Sequence, residues 1–261
     1  MDEVSDQRSP AFNAWGKNLW RGVIDFLVPP KCLLCREPVL EPASLCHACW
    51  SNLKHIDAPF CNVLGVPFAY DQGEGAISPA ALAEPPQWER ARAAVAYDEA
   101  SRRIVHALKY RDTLEAGLLM GRLMARAGRQ LIQEADVIIP VPLHRLRLWR
   151  RRFNQAAILS QQISRQFGKD YRTDLLQRTK ASRSQVGLSF DERRRNVAKV
   201  FQVMPEGAGT LAGRRVLLVD DVLTTGATAG SCAAVLKKAG AAQVDVLTFA
   251  LVLEPRRPHI G

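Results

Sequence analysis

The sequence predicts an α/β domain with a mainly parallel sheet, preceded by a small metal-binding module. Three observations carry this. Helical and strand-like patterns alternate from Trp88 onward, and Val216–Thr228 reads as a strand that runs through a small-residue loop into a helix. The third is two Cys-x-x-Cys pairs placed close together before residue 50. At 261 residues the chain has room for one large domain, or a medium one with an appendage.

Four regions separate by composition. Residues 1–30 are polar, then apolar, with Leu19, Val23, Ile24, Phe26 and Leu27 spaced for one helix face before Pro29 and Pro30 end it. Packing on the protein itself is the favoured use of that face, membrane contact the alternative. Residues 31–61 form the Cys-rich unit. Residues 62–87, with Gly65, Gly73, Gly75, Pro67, Pro79, Pro85 and Pro86, read as an irregular linker. Residues 88–255 form the α/β domain. No internal repeat is evident.

Within that domain the expected order begins with a strand at Ala93–Tyr97 and helices at Ala100–Tyr110 and Gly117–Ala135. A short buried strand, Val137–Val141, precedes a helix from about Arg151 to Phe167. Ser189–Glu192 fits a capping box opening a short basic helix. Val216–Val219, a helix at Thr228–Ala239 ended by Gly240, and a strand at Val244–Leu253 complete the set.

No stretch reaches the roughly 18 uncharged apolar residues of a membrane span. The start, MDEVSDQRSP, is acidic and polar where a secretory signal is basic and then apolar, so the chain reads as cytoplasmic. Four of its six cysteines lie in the two pairs, a metal or redox pattern rather than a secreted disulfide framework. Formal net charge is +10. Between Pro140 and Val200 there are fifteen Lys/Arg against four Asp/Glu, a net of +11, so this segment holds the whole excess. Such a block suits a polyanion such as pyrophosphate, nucleotide or nucleic acid; a solvated helix face is the plainer alternative.

Val216-Leu217-Leu218-Val219 is apolar on both faces, as the centre of a parallel sheet requires. Asp220 and Asp221 follow at its carboxyl end, where open α/β sheets place ligands. Thr224, Thr225, Gly226, Ala227 and Thr228 then lead into a helix whose free N–H groups and positive end favour a phosphate. Two carboxylates beside a phosphate make sense if they accept hydrogen bonds from ribose hydroxyls or hold Mg²⁺ against a pyrophosphate. Alone, an Asp-Asp pair would merely end a strand.

Cys32, Cys35, Cys46 and Cys49 form two pairs ten residues apart, which can close a tetrahedral S₄ site. Zinc is the favoured occupant, with an iron–sulfur cluster or a redox dithiol as alternatives. His47 and His55 read as surface histidines, and Cys232 as core filler. The run Arg145–Phe153 sets Trp149 and Phe153 among arginines, which suits base stacking beside phosphates and equally suits packing of one helix face.

VLLVDDVLTTGAT closely resembles the motif of type I phosphoribosyltransferases that binds 5-phosphoribosyl 1-pyrophosphate (PRPP), and the chain from about Leu19 to Leu253 resembles the ComF family. That family joins a zinc-ribbon-like start to a phosphoribosyltransferase domain and is linked to DNA uptake. The likeness includes Ala107–Tyr110, Pro140–His144, Arg152–Gln155, Gln185–Leu188 and Arg195–Val197, with Arg152 where the family usually has glycine. It implies a type I phosphoribosyltransferase fold. Thr224–Thr228 would hold the 5-phosphate, and Asp220 and Asp221 the ribose hydroxyls. Leu143, His144 and Arg145 would face the pyrophosphate with Mg²⁺, under a basic hood at Arg178–Arg195 that includes Lys180 and Arg183. It also implies a second pair of knuckles, but Leu64, Ser78 and Ala81 stand where three of their four cysteines would be, so Cys61 is left as a vestigial or buried thiol. Three roles are compatible with this likeness: transfer of a base onto PRPP, non-catalytic sensing of PRPP or a nucleotide, and handling of single-stranded DNA alongside DNA-uptake proteins.

Overall fold

The computed structural model describes residues 29–110, 114–143, 153–179 and 200–253. Its centre is a five-stranded sheet made of β1 (Ala91–Ala96), β2 (Val137–Pro140), β3 (Asp170–Tyr171), β6 (Arg215–Leu223) and β7 (Gln243–Leu251). The order is β1-β7-β6-β2-β3 and every pairing is parallel. β4 (Leu176–Arg178) and β5 (Phe201–Val203) pair antiparallel as a separate ladder. Alternation along β6 sends Val216 and Leu218 into one core and Leu217 and Val219 into the other, so the sheet is buried on both sides.

Helices cover both faces. α3 (Glu99–Tyr110), α4 (Leu114–Ala127), α5 (Arg129–Glu134), α6 (Gln155–Phe167) and the short α7 (Ala208–Leu211) precede β6, and α8 (Ala227–Lys238) joins β6 to β7. Asp98 and Ser101 cap α3 reciprocally, each accepting the other's backbone N–H. Asn154 caps α6 by accepting from Ala156 N, and Gly168 ends it at φ +65°.

Two expectations about these elements are corrected. The helix expected over Gly117–Ala135 is α4 and α5, broken at Gly128, where a Cβ would lie 2.5 Å from the Leu247 side chain. The strand expected to stop at Val219 continues to Leu223, because β7 pairs with it throughout, Leu223 lying opposite Leu251. Asp220 and Asp221 are therefore inside a strand. Lys180, Arg183, the capping box at Ser189, the helix at residues 19–27, His144, Arg145 and Trp149 lie outside the described residues.

The absence of a repeat is also corrected. Residues 29–83 contain one backbone design twice. Lys31 bridges Pro38 as Phe60 bridges Pro67. Cys32 N donates to Glu37 O and Arg36 N to Cys32 O, just as Cys61 N donates to Val66 O and Gly65 N to Cys61 O. Arg36 and Gly65 both have φ of +70°. Each copy closes with a five-residue helix, α1 (His47–Ser51) with Cys46 at its N-cap position and α2 (Pro79–Ala83) with Ser78 there, whose hydroxyl accepts from Ala81 N. Cys32, Cys35, Cys46 and Cys49 thus correspond to Cys61, Leu64, Ser78 and Ala81. Residues 62–87, expected to be an irregular linker, hold most of the second ribbon.

Both ribbons dock on the sheet domain. The first is held by Arg103 donating to Leu34 O and Arg122 donating to Ala43 O. The segment between the ribbons covers the free edge of β1: Ile56 N donates to Ala94 O, Ala96 N donates to Lys54 O, and His55 bridges Val95. His55 is consequently half-buried against the Trp50 ring, 4.6 Å between centroids, rather than a surface histidine. The second ribbon is tied to β1 by Arg92, which donates to Asn62 O, Asn62 Oδ1 and Ala91 O and stacks on Phe60. Burial draws this guanidinium down to about 10.

Candidate functional site

β2 leaves the sheet at Pro140, opposite Val219, while β6 and β7 run on. The next two residues of β6, Asp220 and Asp221, therefore stand at the mouth of the sheet with no β2 neighbour opposite them. Successive strand residues face opposite sides, so the two carboxylates straddle β6. Asp221 lies on the α3 side, where Lys109 Nζ meets its Oδ2 at 2.5 Å, both side chains being largely covered. Asp220 lies on the α8 side and accepts from Asp221 N at 2.8 Å. Burial, and then the neighbouring Asp221 charge, hold the Asp220 carboxyl well above the usual carboxylate range. On the same side, burial and the Asp220 charge push the Cys232 thiol up; Cys232 is wholly buried, as core filler should be.

After Leu223 the chain turns through Thr224, Thr225 and Gly226 into α8. Thr224, Thr225 and Ala227 are exposed and Thr228 is half-buried, so the start of α8 is open to solvent. Gly226 is its N-cap at φ +76°, a conformation that costs other residues energy. No side chain caps this helix, which leaves its first N–H groups available to an anion.

Leu143, expected near a pyrophosphate, and Arg178, expected in a hood, come together in one cavity of about 270 Å³ beyond the end of β2. Pro140, Pro142, Asn154, Thr173 and Gln177 also line it. Residues 220–228 are not among its lining. Arg178 sits in β4, its guanidinium 5.4 Å from the Phe201 ring centroid. Lys109, named above only within the Ala107–Tyr110 likeness and without a role, is the residue that the structure adds to the site. Nothing in that segment points to a partner until the topology sets the lysine beside Asp221.

In the first ribbon the four cysteine sulfurs all lie within 4.8 Å of one another, and Cys35 Sγ is 3.5 Å from Cys46 Sγ. A tetrahedral zinc with bonds of about 2.3 Å needs sulfur separations of about 3.8 Å. The donor set fits a single ion and leaves no room for a polynuclear iron–sulfur cluster. Cys61 is fully buried and apart from these four; its sulfur accepts from Leu64 N and Ser78 N. No helix among the described residues is long and apolar enough to cross a membrane.

Comparison with known proteins places two families on this chain. The double zinc ribbon domain matches residues 23–81, and the phosphoribosyl transferase domain matches residues 154–260. The DNA utilization protein YhgH of Escherichia coli O157:H7 is 34% identical, over 84% of this chain and 96% of its own. Competence protein F of Haemophilus influenzae is 30% identical, over 83% and 94%. Among solved structures, a hypoxanthine phosphoribosyltransferase from Staphylococcus aureus is 15% identical with a TM-score of 0.36, covering 54% of this chain and 68% of its own.

Proposed function

We propose, since this chain belongs to the ComF family of competence and DNA utilization proteins, that it binds PRPP or a nucleotide at Asp220–Thr228. The observation that carries the reading is the conjunction at the end of β6: a half-buried acid pair, a glycine at positive φ and an uncapped helix start. The N–H groups of Thr224–Thr228 suit a 5-phosphate, and the carboxylates of Asp220 and Asp221 suit the two ribose hydroxyls. Lys109 neutralises Asp221 until the sugar arrives. Leu143, His144 and Arg145, with Arg178, Lys180 and Arg183, are the proposed pyrophosphate and hood residues. Mg²⁺ bound with the pyrophosphate supplies charge neutralisation. An active site of this kind would exchange pyrophosphate for a nitrogenous base.

Calorimetry with PRPP and Mg²⁺ tests this. PRPP at about a hundred times its Kd should stabilise the protein by about 2.7 kcal/mol, visible as a rise in Tm. Asp221→Asn should weaken binding about ten- to a hundredfold, the worth of a hydrogen bond to a charged group, and lower Tm because Lys109 loses its partner. Asp220→Asn should weaken binding without lowering Tm. The native state disfavours the ionised form of this carboxyl, so its charge costs stability at neutral pH and the amide removes that cost. A protein that gives neither heat nor a Tm shift with PRPP, nucleotides or ribose 5-phosphate sinks the ligand assignment.

The concentration of positive charge between residues 140 and 200 favours a second, compatible reading, contact with single-stranded DNA. Log–log salt dependence should then have a slope of about −0.7 per neutralised phosphate. Charge reversal at Arg150 and Arg151 should flatten it. No binding at low salt would reserve this charge for pyrophosphate.

A further inference from the structure

The phosphate loop rests on a tryptophan, and that tryptophan is held by the ribbon that has lost its metal ligands. Trp88 is 7% exposed and lies just before β1. Its six-membered ring packs under the start of α8. A Cβ on Gly226 would lie 2.5 Å from Trp88 Cη2, and one on Gly230 would lie 3.6 Å from Cζ3. The other end of the indole is fixed, because Nε1 donates to Val63 O at 3.0 Å.

Val63 belongs to the turn of the second ribbon. That turn is shaped by the Cys61 sulfur, which accepts from Leu64 N at 3.5 Å and Ser78 N at 3.2 Å. It is pressed onto β1, since a Cβ on Gly65 would lie 2.7 Å from Ala91 O. Cys61, Val63, Trp88 and Gly226 therefore form one run of direct contacts from the ribbon to the phosphate loop. In the first ribbon the corresponding turn serves an ion. In the second, the carbonyl of the residue before Leu64 serves an indole.

We propose that Trp88 is a positioning residue for the phosphate loop, and that the second ribbon is kept to hold it. The inference rests on the ligand reading of Asp220–Thr228. The indole fixes the height and tilt of Gly226, and so the direction of the N–H groups at the start of α8. A hydrogen bond to Val63 fixes the indole. Preorganised donors bind more tightly because less ordering is left to the binding step.

The test uses Trp88→Phe, which keeps an aromatic ring but removes the donor and the far edge of the indole. Binding of PRPP should weaken about tenfold, the equivalent of one hydrogen bond's worth of positioning. Amide exchange at residues 224–230 should quicken in the absence of any ligand. Cys61→Ala, far from the phosphate, should act in the same direction while the protein keeps its zinc. Gly226→Ala should be partly rescued by Trp88→Phe, because the smaller ring withdraws the atoms nearest the new Cβ. Unchanged affinity and unchanged exchange at 224–230 in Trp88→Phe, with only a lower Tm, would overturn the proposal. Faster exchange in Trp88→Phe, in a protein whose wild type ignores PRPP, would overturn the ligand reading and uphold the positioning of the loop.

Discussion

Cys46→Ser should empty the first ribbon of its ion and unfold it. Metal analysis should fall from about one zinc per chain to none. The reason is the scarcity of core: in residues 29–53 only Cys32, Leu34, Ala43 and Leu53 are buried. Burial of so few side chains cannot offset the entropy of ordering a loop-rich segment, whereas structural zinc contributes about 10–16 kcal/mol in isolated finger peptides. Because Leu34 accepts from Arg103 and Ala43 from Arg122, loss of the ribbon should also uncover α3 and α4 and lower the Tm of the sheet domain. Cys61→Ser should keep the zinc, its sulfur being no part of the four-cysteine cluster. Equal loss of metal from both variants would show the ligand set to be wrong.

Asp245→Ala should be strongly destabilising, by about 2–3 kcal/mol, below the full penalty of a buried pair, because it leaves a part-buried guanidinium with Glu134 as its remaining partner. Arg90 Nε and Nη2 donate to both Asp245 oxygens, and Nη2 also reaches Glu134 Oε2 at 2.7 Å. The Arg90 and Asp245 side chains are 14% and 7% exposed. Urea denaturation of Asp245→Ala, Arg90→Met and the double variant measures it. The double variant should recover part of the loss, since no charge is then stranded. Recovery of nothing would mean that Arg90 matters for its packing alone. The Arg90 hydrogen bond also holds Glu134 below its ordinary 4.5. A depressed acid contributes stability above that ordinary value and loses it as pH falls through the folded one, so Arg90→Met should flatten the acid limb of the stability profile.

The parallel sheet and the strand–turn–helix at Val216–Thr228 were legible because their signals are local. An apolar strand, a glycine at a turn and a helix start occupy thirteen consecutive residues. The four metal-binding cysteines were legible for the same reason. What escaped depends on contacts distant in sequence. β6 runs past Val219 because β7 accompanies it, and nothing in Asp220 or Asp221 announces that. Gly128 breaks a helix because Leu247 presses on it. Lys109 reaches Asp221 across more than a hundred residues, and the Trp88 contact with Gly226 spans a similar gap. The family likeness marked the second ribbon's knuckle positions, but with one cysteine of four its segment read as a linker, because what it keeps of the first ribbon is the backbone turns and few residues, Cys61 for Cys32, Pro67 for Pro38 and Ala80 for Ala48.

Duplicated ribbons that share a backbone but not a stabiliser make the amino-terminal module asymmetric towards its surroundings. One half answers to the supply of an ion, and the other answers only to the presence of the neighbouring domain, through Arg92 and Trp88. Starving a cell of zinc would therefore strip half the module while the support beneath Gly226 stayed in place. The module has, in effect, one replaceable part and one permanent part, and the permanent part stands next to the loop that follows β6.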